Sequence, residues 1–277
     1  TNSSSNTVTH IDRSGSVAKT YTVPAGRPVG VTVDANGAAW FAIQNLGLIY
    51  GIDVLGNALG SFAVGGRPTG MGTDLNGNIW CGNLTSGFAR FNVTSKSVTT
   101  VSISGGASSQ NIITDSHGNV WLGDSGQVWK VAPNGTVLAT LVEAGHRTPV
   151  VNHQDEVFTT GFGSLKLVQW SNSGTRLGTF PIPVSSQQGL AVDRDGNIWL
   201  GSQSTTVYKF TPSASVLSSF PTGGSSRISV AVDGMNDIWV SNYGSSSVTK
   251  MKSDGTVLQT IPVGTAPIPI GDATGFQ

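Results

Sequence analysis

DRDGNIWLGS, residues 193–202, sets two acids around an arginine, then a glycine turn, then an apolar run holding an indole. Read alone, the acids suggest a metal site or an acid/base pair. The phrase recurs, however, as DLNGNIWCGN from Asp74 and DSHGNVWLGD from Asp115. Asp34, Asp74, Asp115, Asp193 and Asp233 each stand six residues before an indole: Trp40, Trp80, Trp121, Trp199 and Trp239. His153 and Phe158 read as a degenerate copy, shorter by one residue. The copies then start every 38 to 41 residues, a period that belongs to solenoids, propellers and similar arrays.

Each copy reads as four short strands. In the sixth, SRISVAVD, NDIWVSN, SSVTKMK and TVLQTIPV are separated by joints rich in Gly, Asn, Asp and Ser. No stretch keeps a helical period. Four antiparallel strands in about 40 residues make a β-propeller blade. DxxGN is then the tight turn between the first two strands, its aspartate accepting backbone N–H groups. The indole is expected to fill the contact between neighbouring blades. The opening phrase is therefore architecture. NTVTHIDRSG and VAKTYTV, ahead of the first copy, read as a third and fourth strand, and PIPIGDATGFQ at the end reads as a first strand and turn. Together they predict an all-β, seven-bladed propeller over residues 7–277, with six complete repeats and one blade split between the termini. Residues 1–6 read as a flexible linker.

Composition narrows the function classes. The chain has 277 residues with a formal charge of zero, and charged residues make up only 11% of it. There is no basic excess for nucleic acid, and no apolar run approaches the ~20 residues that span a bilayer. The start carries no signal-peptide pattern. A single cysteine, Cys81, rules out an internal disulfide. A surface of serine, threonine and glycine suits a secreted or cell-surface protein, expected here as a monomer. No cofactor-binding glycine loop, metal-ligand spacing or nucleophile motif is found, so no cofactor, metal or catalytic residue is assigned.

The chain resembles the streptogramin B lyase-like propellers, and more loosely the NHL-repeat proteins. The resemblance rests on RPVGVTVDANGAAWFA, RPTGMGTDLNGNIWCGN, LAVDRDGNIWLGSQ, VAVDGMNDIWVSNYGSSSVTKMKSDG and the closing GDATGF, and runs from about Val8 to Gln277. It implies the propeller fold. For the lyase members it also implies a histidine base and metal-binding glutamates on mouth loops late in the chain. Here the two glutamates, Glu143 and Glu156, are mid-chain, and no histidine lies beyond residue 153. No catalytic position is matched.

Ligand chemistry in such a fold is expected at one mouth of the channel. That mouth is built by the loops leading into each first strand and the loops joining strands two and three. Four of the eight arginines, Arg27, Arg67, Arg147 and Arg227, fall in the lead-in loops, with His146, Gln110, Gln187 and Gln188. The guanidinium fork matches carboxylate, sulfate and phosphate. The second set of loops offers Gln44, Asn45, Asn83, Gln203 and Asn242 as hydrogen-bonding groups for a sugar, with Phe88, Phe162 and Tyr243 to stack on it. The expected ligand site is Arg27, Arg67, His146, Arg147, Gln187, Arg227 and Tyr243, open to an anionic or glycan ligand or a protein partner. Arg90, Lys130, Lys209 and Lys250 recur on the third strand and read as a solvated outer face. Three readings follow: a surface-exposed binding module without catalysis, a lyase or hydrolase using His146 as base, and a structural subunit of a surface assembly.

Overall fold

Alternating apolar residues and glycine-centred turns fold each repeat into a sheet, as blade V illustrates. Gln187–Val192, Ile198–Ser202, Thr206–Phe210 and Val216–Pro221 pair in order, antiparallel throughout. Inward residues Leu190, Ile198, Leu200 and Phe210 build one core cluster, while Ala191, Trp199 and Val207 pack against the next blade. The computed structural model describes residues 1–85, 87–103, 111–124, 126–161, 163–184, 187–224 and 228–268.

Six such sheets form blades I to VI, and their inner strands are Pro28–Val33, Pro68–Thr73, Asn111–Thr114, Thr148–Val151, Gln187–Val192 and Ile228–Val232. Each packs on the following one from blade I to blade VI. The protein is an all-β propeller. Its only helical pieces among the described residues are two 3₁₀ turns, Gln44–Leu46 and Tyr243–Ser245.

Among the described residues six four-stranded blades stand where seven blades were expected. The seventh position holds a two-stranded sheet, β1 (Thr7–Ile11) with β2 (Val17–Thr22). The remainder of the expected split blade falls on 266–277, of which 269–277 lie outside the described residues. The start of the chain is tied to its end. Asn2 bridges both Thr7 and Pro267, and the Ser3 amide donates to the Ala266 carbonyl at 3.0 Å. Residues 1–6 thus carry structure, with Asn2 buried, because serine and asparagine side chains satisfy turns as readily as they solvate linkers.

The repeat register of blade IV also shifts by one. Asn152, not His153, takes the aspartate's place: its Oδ1 accepts the Gln154 amide at 3.0 Å and the Glu156 amide at 2.8 Å. The interval to Phe158 is then the usual six residues.

Candidate functional site

The repeated aspartate does more than shape its turn. In blade V, Asp193 Oδ1 accepts the amides of Asp195 (3.0 Å) and Asn197 (2.8 Å), while Oδ2 accepts Trp199 Nε1 at 2.9 Å. The same indole bond closes Asp34–Trp40, Asp74–Trp80, Asp115–Trp121 and Asp233–Trp239 at 2.8–3.2 Å. A cation completes the arrangement. Arg90, Lys130, Lys209 and Lys250 stand across the sheet from Trp80, Trp121, Trp199 and Trp239, each within 6 Å of the ring.

These cations are not a solvated outer face. Lys130, Lys209 and Lys250 are buried and pair with Asp115 (3.3 Å), Asp193 (3.4 Å) and Asp237 (3.0 Å). Strand alternation turned their heads toward the aspartates at the turn rather than to water. The nitrogen then donates onward to a backbone carbonyl in the following blade's outer turn. Lys209 reaches Ser253 O (2.7 Å), Lys130 reaches Asn172 O (3.2 Å), and Arg90 reaches Pro133 O. Lys250 reaches Arg13 O at 2.7 Å, so the β1–β2 turn occupies the outer turn of a next blade. In blade I the cross-strand position is Gly51, and Lys96 from blade II's outer turn sits 5.4 Å from the Trp40 ring instead. Burial pushes the Asp115 carboxyl up, but bonds from Asn119 and Asn172 and the Lys130 charge outweigh it, leaving Asp115 below the usual carboxylate range. On this face Asp115 and Lys130, and Asp193 and Lys209, thus satisfy each other.

The opposite mouth is different. The two loop classes meet there: the Gln44 amide donates to Arg27 O (3.1 Å) and the Leu84 amide to Arg67 O (3.0 Å). Arg27 adopts a left-handed backbone (φ 65°), a conformation costly for a side chain with a Cβ. Asn6 holds it there, its Oδ1 accepting the amides of Gly26 and Arg27, both at 3.2 Å. In blade II, Asn83 Oδ1 accepts the Arg67 amide at 2.6 Å. From these two seats the guanidinium groups converge. Arg27 Nη1 donates to Gln44 Oε1 at 2.6 Å, and Arg67 Nη2 donates to the same oxygen at 3.3 Å. Among the described residues neither arginine forms an ion pair.

The other expected site residues divide. Arg147 is half-buried in blade IV's lead-in loop; burial lowers its pKa, and the nearby Asp124 carboxylate opposes that shift. Tyr243 is half-buried in its 3₁₀ turn, and Gln187 opens an inner strand with its side chain outside the described set. Arg227, Gln110 and Phe162 lie outside the described residues. His146 is corrected. It is buried, with Nδ1 bonded to Thr159 Oγ1 (2.9 Å) and Nε2 to Ser164 Oγ (3.0 Å). Burial first, then the Lys166 charge, lowers its pKa to about 4. Phe88 is likewise buried in the blade II–III core, and Asn83 and Asn242 are buried inside their own loops. Sequence reasoning missed Asn6, whose place ahead of the first repeat hid its part in the Arg27 loop. Among the described residues no three His, Cys, Asp or Glu gather in metal-binding reach.

The fold is shared with solved propellers. A structure of streptogramin B lyase superposes with a TM-score of 0.80 at 17% identity, covering 91% of this chain and 89% of the other. The likeness establishes the fold. Virginiamycin B lyase from Staphylococcus aureus gives 0.79 at 13% identity, with coverages of 93% and 87%. Hydrazine synthase from Kuenenia stuttgartiensis matches equally well, at 0.80 and 12% identity over 91% of each chain. At such identities one scaffold carries unrelated chemistries. No family model matches the sequence, and no curated protein matches it.

Proposed function

We propose that this protein is a ligand-binding propeller, secreted or displayed at a cell surface. Its functional mouth takes a ligand bearing carboxylate, sulfate or phosphate groups, such as an acidic glycan. One observation carries the reading: guanidinium groups of two adjacent blades converge on a single carbonyl oxygen, Gln44 Oε1, without forming an ion pair among the described residues. The low overall charge means that this local positive field has few competitors on the same molecule. Catalysis through His146 is not part of the proposal, because both ring nitrogens are engaged inside the blade.

The test is an array of neutral, uronic-acid and sulfated oligosaccharides, followed by titration at two ionic strengths. The Arg27→Ala/Arg67→Ala double variant should weaken binding of an acidic hit at least tenfold, and raised salt should weaken the wild type. Lys252→Ala, on an exposed outer turn of the opposite face, serves as control. Binding that ignores the double variant but falls with Lys252→Ala places the site elsewhere and ends this reading.

A further inference from the structure

Gln44 is buried at the end of blade I's second strand, where it opens the 3₁₀ turn Gln44–Leu46. Its Oε1 accepts Arg27 Nη1 at 2.6 Å and Arg67 Nη2 at 3.3 Å, so both lone pairs of one carbonyl oxygen are used by cations from two blades. Among the described residues neither guanidinium has another partner, and most of its N–H donors stay open. Both seats are fixed from the backbone side, Arg27 by Asn6 at a left-handed φ of 65° and Arg67 by Asn83. Two like charges are thereby held together, one of them on a costly backbone conformation. Folds retain such arrangements chiefly at functional sites.

The chain treats another mouth arginine differently. Arg147, in blade IV's lead-in loop, has the Asp124 carboxylate of blade III nearby as a counter-charge. A glutamate at position 44 would do the same for Arg27 and Arg67. The amide, of nearly the same size and shape, does not. We infer that Gln44 sets the selectivity of this mouth: it gathers the two arginines without neutralising them, and the group they take is a phosphomonoester carried by a sugar. This rests on the ligand-binding reading above and narrows it. A carboxylate or a sulfate ester brings one charge to two cations. A phosphomonoester carries a charge of about −2 near neutral pH and offers several acceptor oxygens to the open donors. Asn45 and Thr85, exposed on the same two loops, are uncharged and suit the hydroxyls of the carrier.

Calorimetric titration of the full chain with methyl phosphate and methyl sulfate tests this, at about pH 7.5 and fixed ionic strength. The two probes are nearly isosteric and differ by about one charge. Methyl phosphate should bind about tenfold or more tighter than methyl sulfate, and hexose 6-phosphate tighter than O-phosphoserine. Gln44→Glu sets a carboxylate between the arginines. It should weaken methyl phosphate about tenfold or more while melting no lower than wild type in chloride buffer. Gln44→Met removes the shared oxygen but leaves the charges, so binding should weaken only severalfold. Equal affinity for the two methyl esters overturns the inference, as does wild-type affinity in Gln44→Glu. A loss in Gln44→Met as deep as in Gln44→Glu would make Gln44 a packing residue instead. Tighter binding of O-phosphoserine than of hexose 6-phosphate rules out the sugar carrier. If neither methyl ester binds but an acidic oligosaccharide still binds through Arg27 and Arg67, this inference falls and the broader reading stands. If Arg27→Ala/Arg67→Ala binds both methyl phosphate and the oligosaccharide as wild type does, both fall.

Discussion

Asp193 and Trp199 are joined by a 2.9 Å hydrogen bond from the indole Nε1 to a carboxylate oxygen that is itself fully buried. The aspartate shapes the turn with one oxygen and anchors the core with the other. Trp199→Ala should destabilise the protein by about 3–5 kcal/mol, as expected for a large aromatic removed from a core. Trp199→Phe retains most of the packing but removes the indole donor, and should cost ~1–3 kcal/mol for the acceptor left short of a partner. Denaturant titration of both variants checks this; equal stability of Trp199→Phe and wild type would show that the bond contributes nothing.

Lys250 links blade VI to the β1–β2 sheet through Arg13 O while pairing with Asp237. Lys250→Met keeps the aliphatic stem over Trp239 but leaves the carboxylate without its cation. A loss of ~2–4 kcal/mol follows, below the ~3–5 kcal/mol of a fully buried pair because Asp237 retains some water. Limited proteolysis should cut first near residues 12–16. Lys209→Met, which breaks the blade V–VI link, should leave that site as resistant as in wild type.

Gly51 stands where the other blades carry a cation or a long side chain. A Cβ there would lie 2.7 Å from the Trp40 ring, which the Asp34 bond holds in place. Gly51→Ala should therefore cost ~1–3 kcal/mol from overpacking, although alanine is ordinarily the easier residue in a strand. A melting temperature equal to or above wild type would contradict this.

His146 is held neutral in the folded protein, its pKa lowered from 6.5 to about 4. As pH falls the unfolded chain binds this proton first. The site's contribution to stability is complete above about pH 6.5 and is lost progressively towards pH 4, amounting to roughly 3 kcal/mol over the interval. His146→Gln has no such titration, so its stability should change less between pH 7 and pH 4.5. Parallel pH profiles for the two proteins would remove His146 as the cause.

The repeat was legible because its aspartate, glycine and tryptophan are fixed by turn and core together. The cations were visible too, nine to eleven residues after each tryptophan, but their purpose was not. Strand alternation marks them as facing away from one core cluster. It does not say that this side is covered by a ring, a carboxylate and the next blade's carbonyl. In blade IV His153 is the chemically distinctive residue, whereas the turn needs only a short side chain with an acceptor oxygen, which Asn152 supplies. His146 sits in a lead-in loop like the arginines. Its ring is compact enough to turn inward and find two hydroxyl partners, and a periodicity argument cannot choose between loop residues that point in and those that point out. Arg27 and Arg67 were found by counting one loop class; their meeting on Gln44 depends on two neighbouring blades at once.

Four of the cations reach forward, each to the outer turn of the blade that follows, which gives the ring a direction. A repeat of this protein is consequently not a self-sufficient unit: it owns its aspartate and indole but lends its cation's last bond to a neighbour. Stability is then shared pairwise around the circle, as in other repeat proteins where interfaces rather than units set cooperativity. Damage to one latch should loosen two adjacent blades and spare those across the ring. A duplicated blade inserted between two others would be accepted if it brought both a carbonyl to receive the cation behind it and a cation for the blade ahead.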